Sequence, residues 1–181
     1  MPANALILID IQVGFDGPFW GDRNNPDAEN RARDLLTHWR LKRQPIVHIK
    51  HVSVEPGSPL AGPGTAFKAE VAPTCGEMIF EKSVNSAFIG TELEGYLRSQ
   101  NISEVTICGL TTPHCVSTTT RMAANLGFKV TLVEDACAAF TSNADTSFDD
   151  GPALTAEQIH RTALAHLHGE FATVVSSQSL L

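Results

Sequence analysis

Three chemically complementary side chains stand at the ends of separate apolar segments of this 181-residue chain. Asp10 follows Ala5–Ile9, Lys82 closely follows Glu77–Phe80, and Cys115 comes soon after Glu104–Cys108. A thiol is a good nucleophile for acyl transfer once its proton is removed, and a carboxylate can remove that proton. An ammonium group stabilises the charges that such a transfer creates. These residue types suggest nucleophilic cysteine chemistry if the fold brings them together.

The local sequence Thr112-Pro113-His114-Cys115 places the thiol at the start of a predicted helix. Thr112 is a suitable N-cap and Pro113 a suitable first helical residue, so Cys115 would be the third. The positive end of the helix dipole favours an anion there and lowers a thiol pKa. Alternatively, Cys115 is only a small residue that packs beneath the helix start. Cys108, in the middle of a strand, is expected to be an inert core residue.

Six short apolar segments, many of them β-branched and continuous, are typical of strands that are covered on both faces. They are Ala5–Ile9, Pro45–Ile49, Glu77–Phe80, Glu104–Cys108, Lys129–Val133 and Ala172–Ser176. Helical patterns lie between most of them, over residues 27–43 with Asn25 as cap, 91–100 and 155–169 with capping boxes, and 115–126. This alternation predicts a parallel sheet between two helical layers in a single domain, residues 1–181. Two long loops, 53–73 and 141–152, interrupt the pattern and are candidates for functional segments.

The predicted sheet explains how the three side chains could meet. Ligands of open parallel sheets bind beyond the carboxyl ends of the strands, where Asp10, Lys82 and Cys115 all lie. Asp10 could instead cap a turn, and Lys82 could be an ordinary solvated lysine. A buried Asp–Lys pair beside a thiol would, however, give both charges a partner.

Bulk composition excludes several other classes of protein. The net charge of −7 and the lack of a basic cluster argue against nucleic-acid binding. No apolar stretch approaches the roughly 20 residues of a membrane helix. The amino terminus lacks the cationic region of a signal peptide, so we expect a cytoplasmic protein with reduced thiols.

The quoted residues, in LILIDIQ, FEKSVNSAFIGTEL and GLTTPHCVSTTTRMAANLGF, resemble the isochorismatase-like cysteine hydrolases. Nicotinamidases and N-carbamoylsarcosine amidohydrolases are relatives in that superfamily. The resemblance implies a Rossmann-like, three-layer α/β/α fold with a six-stranded parallel sheet, and a homodimer or larger homo-oligomer. It also implies a catalytic triad of Asp10, Lys82 and Cys115. A cis peptide is implied at Leu110–Thr111, with the Thr111 and Cys115 N–H groups directed at an oxyanion.

Nicotinamidases carry a metal site after the second strand, where this chain has His48 and His51. Residues three apart on a strand face opposite sides and cannot chelate one ion unless the strand has already ended, so we expect no metal site. We also expect no cofactor. His48 then belongs to the core, whereas His51 is a candidate for the substrate pocket.

Phe15 and Trp20, in the loop after Asp10, are further pocket candidates, although they could equally anchor that loop to the core. His114 is another candidate, or else a solvated residue at the helix start.

These observations predict a hydrolase that cleaves a C–N bond of a small amide or ureide through a thioester intermediate. Two alternatives stay open. One is a catalytically silent family member that binds a small molecule or a protein, and the other is an isochorismatase-type vinyl-ether hydrolase. A redox role for Cys115 is weaker, because no second cysteine lies in CxxC spacing.

Overall fold

A six-stranded parallel sheet forms the centre of the computed structural model, which describes residues 3–148 and 150–181. Its strands lie in the order β3-β2-β1-β4-β5-β6. Their bounds are Ala3–Ile9 (β1), Ile46–His51 (β2), Met78–Lys82 (β3), Ile102–Leu110 (β4), Lys129–Ala138 (β5) and Thr173–Val175 (β6). The predicted α/β fold with six parallel strands is therefore confirmed.

Four α-helices connect these strands: Ala28–Leu41 (α1), Leu93–Ser99 (α2), Ser117–Asn125 (α3) and Ala156–Leu167 (α4). From β1 the chain moves outward in one direction to β2 and β3, then returns to β4 and continues in the other direction. Connections between parallel strands are right-handed as a rule, so this reversal of direction requires helices on both faces of the sheet. The gap between β1 and β4, where the direction changes, is the usual ligand crevice of such sheets.

The central strands approach each other closely beside this crevice. Residues Ala5 to Ile9 of β1 are at most 2% exposed, as expected for a strand covered on both faces. Gly109 of β4 lies opposite Ile9 with φ of +133°, and a Cβ atom there would lie 2.1 Å from the Ile9 carbonyl oxygen. Only glycine fits this position, and its absent side chain allows the two strand ends to adjoin.

The helix starts agree only in part with the sequence predictions. Thr155 and Gln158 form the predicted capping box of α4. The prediction of a capping box at Thr91 is wrong. The Thr91 hydroxyl donates to the Ala87 carbonyl, and α2 begins only at Leu93. Asp27, not Asn25, precedes α1.

Asn25 instead makes hydrogen bonds to β5. Its backbone adopts φ of +42°, and its side-chain amide donates to the Glu134 and Cys137 carbonyls at 3.1 and 2.8 Å. These bonds fix the loop before α1 to β5. Asn25 therefore connects two elements instead of capping one.

Across the described residues, no helix combines the length and the apolar character that crossing a membrane would require.

Candidate active site

Asp10 lies immediately beyond β1 and is completely buried. Its backbone is left-handed, with φ of +52°, a conformation that Asp and Asn tolerate better than most residues. The Asp10 N–H still donates to the Ile49 carbonyl at 3.0 Å, so the turn begins only after the last ladder bond. This turn directs the carboxylate across the carboxyl ends of the neighbouring strands.

Lys82, the last residue of β3, lies at the centre of the site, and its side chain is fully buried. Its Nζ atom lies 2.6 Å from Asp10 Oδ2, 3.1 Å from His51 Nδ1 and 3.3 Å from Cys115 Sγ. His51 is the register partner of Lys82 on β2, which explains their proximity. The three N–H bonds of one ammonium group thus have three acceptors.

Asp10, His51 and Cys115 each offer one metal-binding atom, and these atoms lie within 4.8 Å of one another. The ammonium group of Lys82 lies within 3.3 Å of all three residues. A metal ion bound by these atoms would therefore have to displace or face a buried cation. His48 does not join the group, because it is fully buried and its Nε2 atom lies 2.8 Å from Glu77 Oε2.

Cys115 lies in a short π-helical turn, Thr112–Val116, that precedes α3. The predicted capping by Thr112 is wrong, because Thr111 occupies the cap position and no side chain caps the turn. Thr112 Oγ1 instead lies 2.8 Å from Nδ1 of the buried His160 on α4. The peptide bond between Leu110 and Thr111 is cis.

The expected lowering of the Cys115 pKa is also wrong. Burial and the negative charge of Asp10 raise the pKa of this thiol to about 12, although the Lys82 cation opposes them. The hydrogen bonds fit a protonated thiol, since Sγ accepts from Lys82 and donates to Asn85 Oδ1 at 3.7 Å. Cys108 is fully buried, as expected, and burial raises its pKa as well.

Asp10 is the nearby group that can receive the thiol proton. Burial raises the pKa of its carboxyl above the usual value, while Lys82 acts in the opposite direction. Oδ2 is bound to Lys82, but Oδ1 is buried without a hydrogen-bond partner among the described residues. A buried carboxylate oxygen without a donor is costly and is well suited to accept a proton.

A cavity of about 540 Å³ opens beside the sulfur. Among the residues that line it are Phe15, Trp20, His51, Thr111, His114 and Cys115. Burial lowers the pKa of His51 to about 4, with a further contribution from Lys82, and burial also lowers the pKa of His114. Both imidazoles are therefore neutral near pH 7.

Phe15 and Trp20 both line the cavity and anchor the loop after Asp10. Phe15 and Trp20 line the cavity, and their ring centroids are 4.6 Å apart. Phe15 also stacks on Phe140 at 5.7 Å, and Trp20 Nε1 donates to the Gly14 carbonyl at 2.8 Å. The loop after Asp10 is thus anchored by the same rings that form one wall of the cavity.

Gln12 and Asn85 are polar residues of the site that were not predicted from the sequence, and neither were the polar cavity residues Ser53, Glu55, Ser58 and Ser83. The buried Gln12 side chain accepts from the His51 N–H at 2.8 Å and donates to the His51 carbonyl at 2.9 Å, which fixes the end of β2. Asn85 lines the cavity and contacts the sulfur. Their positions just after Asp10 and Lys82 were the available signal, because residues that follow a strand end face the same crevice.

Comparison with known proteins gives matches over most of the chain. The isochorismatase domain model matches residues 4–179. An uncharacterized isochorismatase family protein of Bacillus subtilis, YrdC, is 47% identical, with 98% of this chain and 94% of that protein aligned. Maleamate amidohydrolase of Pseudomonas putida is 29% identical, over 72% of this chain and 70% of that enzyme.

A crystal structure of a hydrolase of the same family from Chromobacterium violaceum superposes with a TM-score of 0.93 at 43% identity. The match covers 99% of this chain and 92% of that one. Both the sequence model and the superposition extend over nearly the whole chain, well beyond the residues of the site. The chain therefore belongs to the isochorismatase family of hydrolases.

Proposed function

We propose that this protein is a cysteine-dependent hydrolase that cleaves a C–N bond of a small amide or ureide. The observation that carries the proposal is the position of Lys82 Nζ, 2.6 Å from Asp10 Oδ2 and 3.3 Å from Cys115 Sγ, beside a cavity. A base, a cation and a nucleophile in mutual contact are what thiol-mediated acyl transfer needs. The amidohydrolase named among the relatives supports the same reaction class.

The reaction begins with proton transfer, because a thiol whose pKa is about 12 is protonated at neutral pH. Asp10 accepts the thiol proton as the sulfur attacks the substrate carbonyl carbon. The raised pKa of Asp10 makes it a better base than an ordinary carboxylate. Lys82 compensates the negative charge, which is on Asp10 before the transfer and on the sulfur during it.

The carbonyl oxygen becomes an oxyanion when the C–S bond forms. The backbone N–H groups of Thr111 and Cys115 are the proposed donors to it, and both residues line the cavity. Donors fixed in the backbone need no reorganisation when the charge develops, so they lower the barrier effectively.

The tetrahedral intermediate collapses by breaking the C–N bond, and Asp10 returns the proton to the departing amine. A thioester on Cys115 remains. Asp10 then takes a proton from water as the water oxygen attacks the thioester carbonyl. The C–S bond breaks, the acid leaves, and the proton held by Asp10 restores the thiol.

Lys82 acts as an electrostatic support in this scheme. In the ammonium form its nitrogen has no lone pair to offer as a nucleophile, and it lies within hydrogen-bond distance of Asp10, His51 and Cys115. The same cation lies where a metal ion would have to bind to Asp10, His51 and Cys115. We therefore propose that the reaction needs no metal.

The test is a panel of small amides and ureides given to the unmodified protein, to Cys115→Ala and to Cys75→Ala. Cys75 is exposed and contributes nothing to the cavity, so it is the matched control for loss of a thiol. We expect turnover that persists in Cys75→Ala and in excess chelator and is abolished in Cys115→Ala. Turnover by Cys115→Ala would refute the thiol mechanism, and loss in chelator would refute the metal-free one. No turnover of any compound would favour a silent binding protein.

A further inference from the structure

The charges around the cavity restrict the substrate. None of the described residues that line it is a lysine or an arginine, and Glu55 is the charged one among them. The two histidines are neutral, for the reasons given above. Lys82 is positive but its charge is balanced by Asp10 at 2.6 Å. A substrate carboxylate would therefore find no free cation here and would be desolvated beside an anion.

Glu55 is available to a ligand. It is exposed, and its carboxylate has no ion pair or hydrogen bond with the part of the chain that the structure describes. The backbone around it is held in place, because its N–H donates to Ser53 Oγ at 3.2 Å and its carbonyl accepts from the Ser58 N–H at 3.3 Å. The Ser53 N–H in turn donates to the Leu60 carbonyl at 2.9 Å. These bonds hold an exposed residue that also lines the cavity.

Two aromatic residues of the cavity complement the charge of Glu55. Phe15 and Trp20 line the same cavity, and aromatic faces attract cations within about 6 Å of the ring centre. An anionic group together with aromatic faces is a favourable environment for an ammonium or guanidinium group. The net charge of −7 also favours the approach of a cation over that of an anion.

We propose that the substrate carries a positive charge on the end that does not react, an ammonium or guanidinium group that lies between Glu55 and the aromatic wall. This inference rests on the proposed function only for the group that reacts, the amide or ureide. Amides that carry a carboxylate are correspondingly poor substrates.

The first experiment probes the electrostatic potential at the Cys115 sulfur without a substrate. Cys115 is modified in a Cys75→Ser background with three methanethiosulfonates: the trimethylammonioethyl (cationic), methyl (neutral) and sulfonatoethyl (anionic) reagents. Cys108 and Cys137 are fully buried and do not compete. Each rate is divided by the rate with a small free thiol, which removes the intrinsic reactivity of the reagent.

At low ionic strength we expect the cationic reagent to be favoured over the anionic one. Glu55→Gln should reduce that preference by about two- to five-fold, the range for an exposed charge. Glu170→Gln is the matched control, because Glu170 is exposed, has no ion pair among the described residues, changes the net charge equally and does not line the cavity. Equal rates, an anionic preference, or the same reduction in both variants would overturn the inference. Failure of all three reagents to reach the sulfur would contradict the proposed function as well.

The second experiment uses three amides of equal length: 3-aminopropanamide (cationic), butanamide (neutral) and succinamate (anionic). We expect kcat/KM to fall in that order, and Glu55→Gln to lower only the value for the cation. Hydrolysis of all three with equal efficiency would overturn the charge inference and leave the proposed function intact. A cationic preference at the thiol without hydrolysis of any amide or ureide would support the inference and refute the proposed function.

Discussion

Replacing Asp10 by Asn separates the chemistry of this residue from its role in the fold. Asn has the same shape and tolerates the left-handed backbone of φ +52°. It cannot accept the thiol proton, so the contribution of a general base, about 10²- to 10⁴-fold, should disappear from kcat/KM. Binding of a substrate analogue should change much less, because Asp10 is completely buried and is not among the residues that line the cavity.

The same substitution should change the acidity of the thiol by a calculable amount. A carboxylate oxygen of Asp10 lies within 4.8 Å of Sγ. A unit charge at that distance contributes about 3.5 kcal/mol at an effective dielectric constant near 20, or roughly two to three pH units. The Cys115 pKa should therefore fall from about 12 by that amount in Asp10→Asn, since Lys82 is then unopposed.

The assay combines pH profiles of kcat/KM with an ultraviolet titration of the thiolate in a Cys75→Ser background. In the unmodified protein, the apparent pKa of the acidic limb of the kcat/KM profile should lie above the usual range of carboxyl pKa values, because burial raises the pKa of Asp10. Glu170→Gln, which removes an exposed carboxylate that does not line the cavity, should alter neither measurement. An Asp10→Asn variant that retains activity within a few-fold, with an unchanged thiol pKa, would refute the assignment of the base.

Three further predictions concern the fold around the site. Gly109→Ala should lower the free energy of unfolding by more than about 1 kcal/mol in denaturant titrations, because its Cβ would meet the Ile9 carbonyl; unchanged stability would contradict the close approach. Thr112→Val should lower the free energy of unfolding by about 1–3 kcal/mol, because it leaves the buried His160 Nδ1 unpaired. Thr112→Ser keeps the hydroxyl and should not lower it. Equal losses of stability in the two variants would argue against the hydrogen bond. Burial opposes ionisation of Glu77, but its hydrogen bonds lower its pKa from 4.5 to about 2. The free energy of unfolding should therefore fall as the pH drops between these two values. Glu77→Gln should make this pH dependence weaker.

The four inner strands were predictable because each contains a largely apolar segment that is mostly buried, whereas the edge strands β3 and β6 are only partly buried. β5 is the main departure, since it continues from the predicted Val133 to Ala138 through two acidic residues. Its pairing with β4 shifts register between Ile107 and Gly109, and such an irregularity has no clear signal in one sequence. Position at the strand ends was enough to suggest which side chains share the crevice.

The electrostatics of the site could not be deduced in the same way. A helix start suggested a lowered thiol pKa, but the pKa of Cys115 depends first on burial and then on the neighbouring carboxylate of Asp10. Burial depth is a property of the packed fold. The partners of Thr112 and Thr91 were equally unpredictable: the Thr112 hydroxyl contacts a ring nitrogen of His160, and the Thr91 hydroxyl donates to the Ala87 carbonyl while it accepts from the Leu93 N–H.

The central claim is that Cys115 becomes covalently attached to the acyl part of the substrate. The most direct measurement is the mass of the protein quenched with acid during turnover of an amide substrate, followed by mapping of the peptide that contains Cys115. The account predicts an added acyl mass on that cysteine, which disappears when substrate is exhausted and never forms in Cys115→Ala. Turnover without any adduct, together with hydrolysis by Cys115→Ala at the unmodified rate, would contradict it.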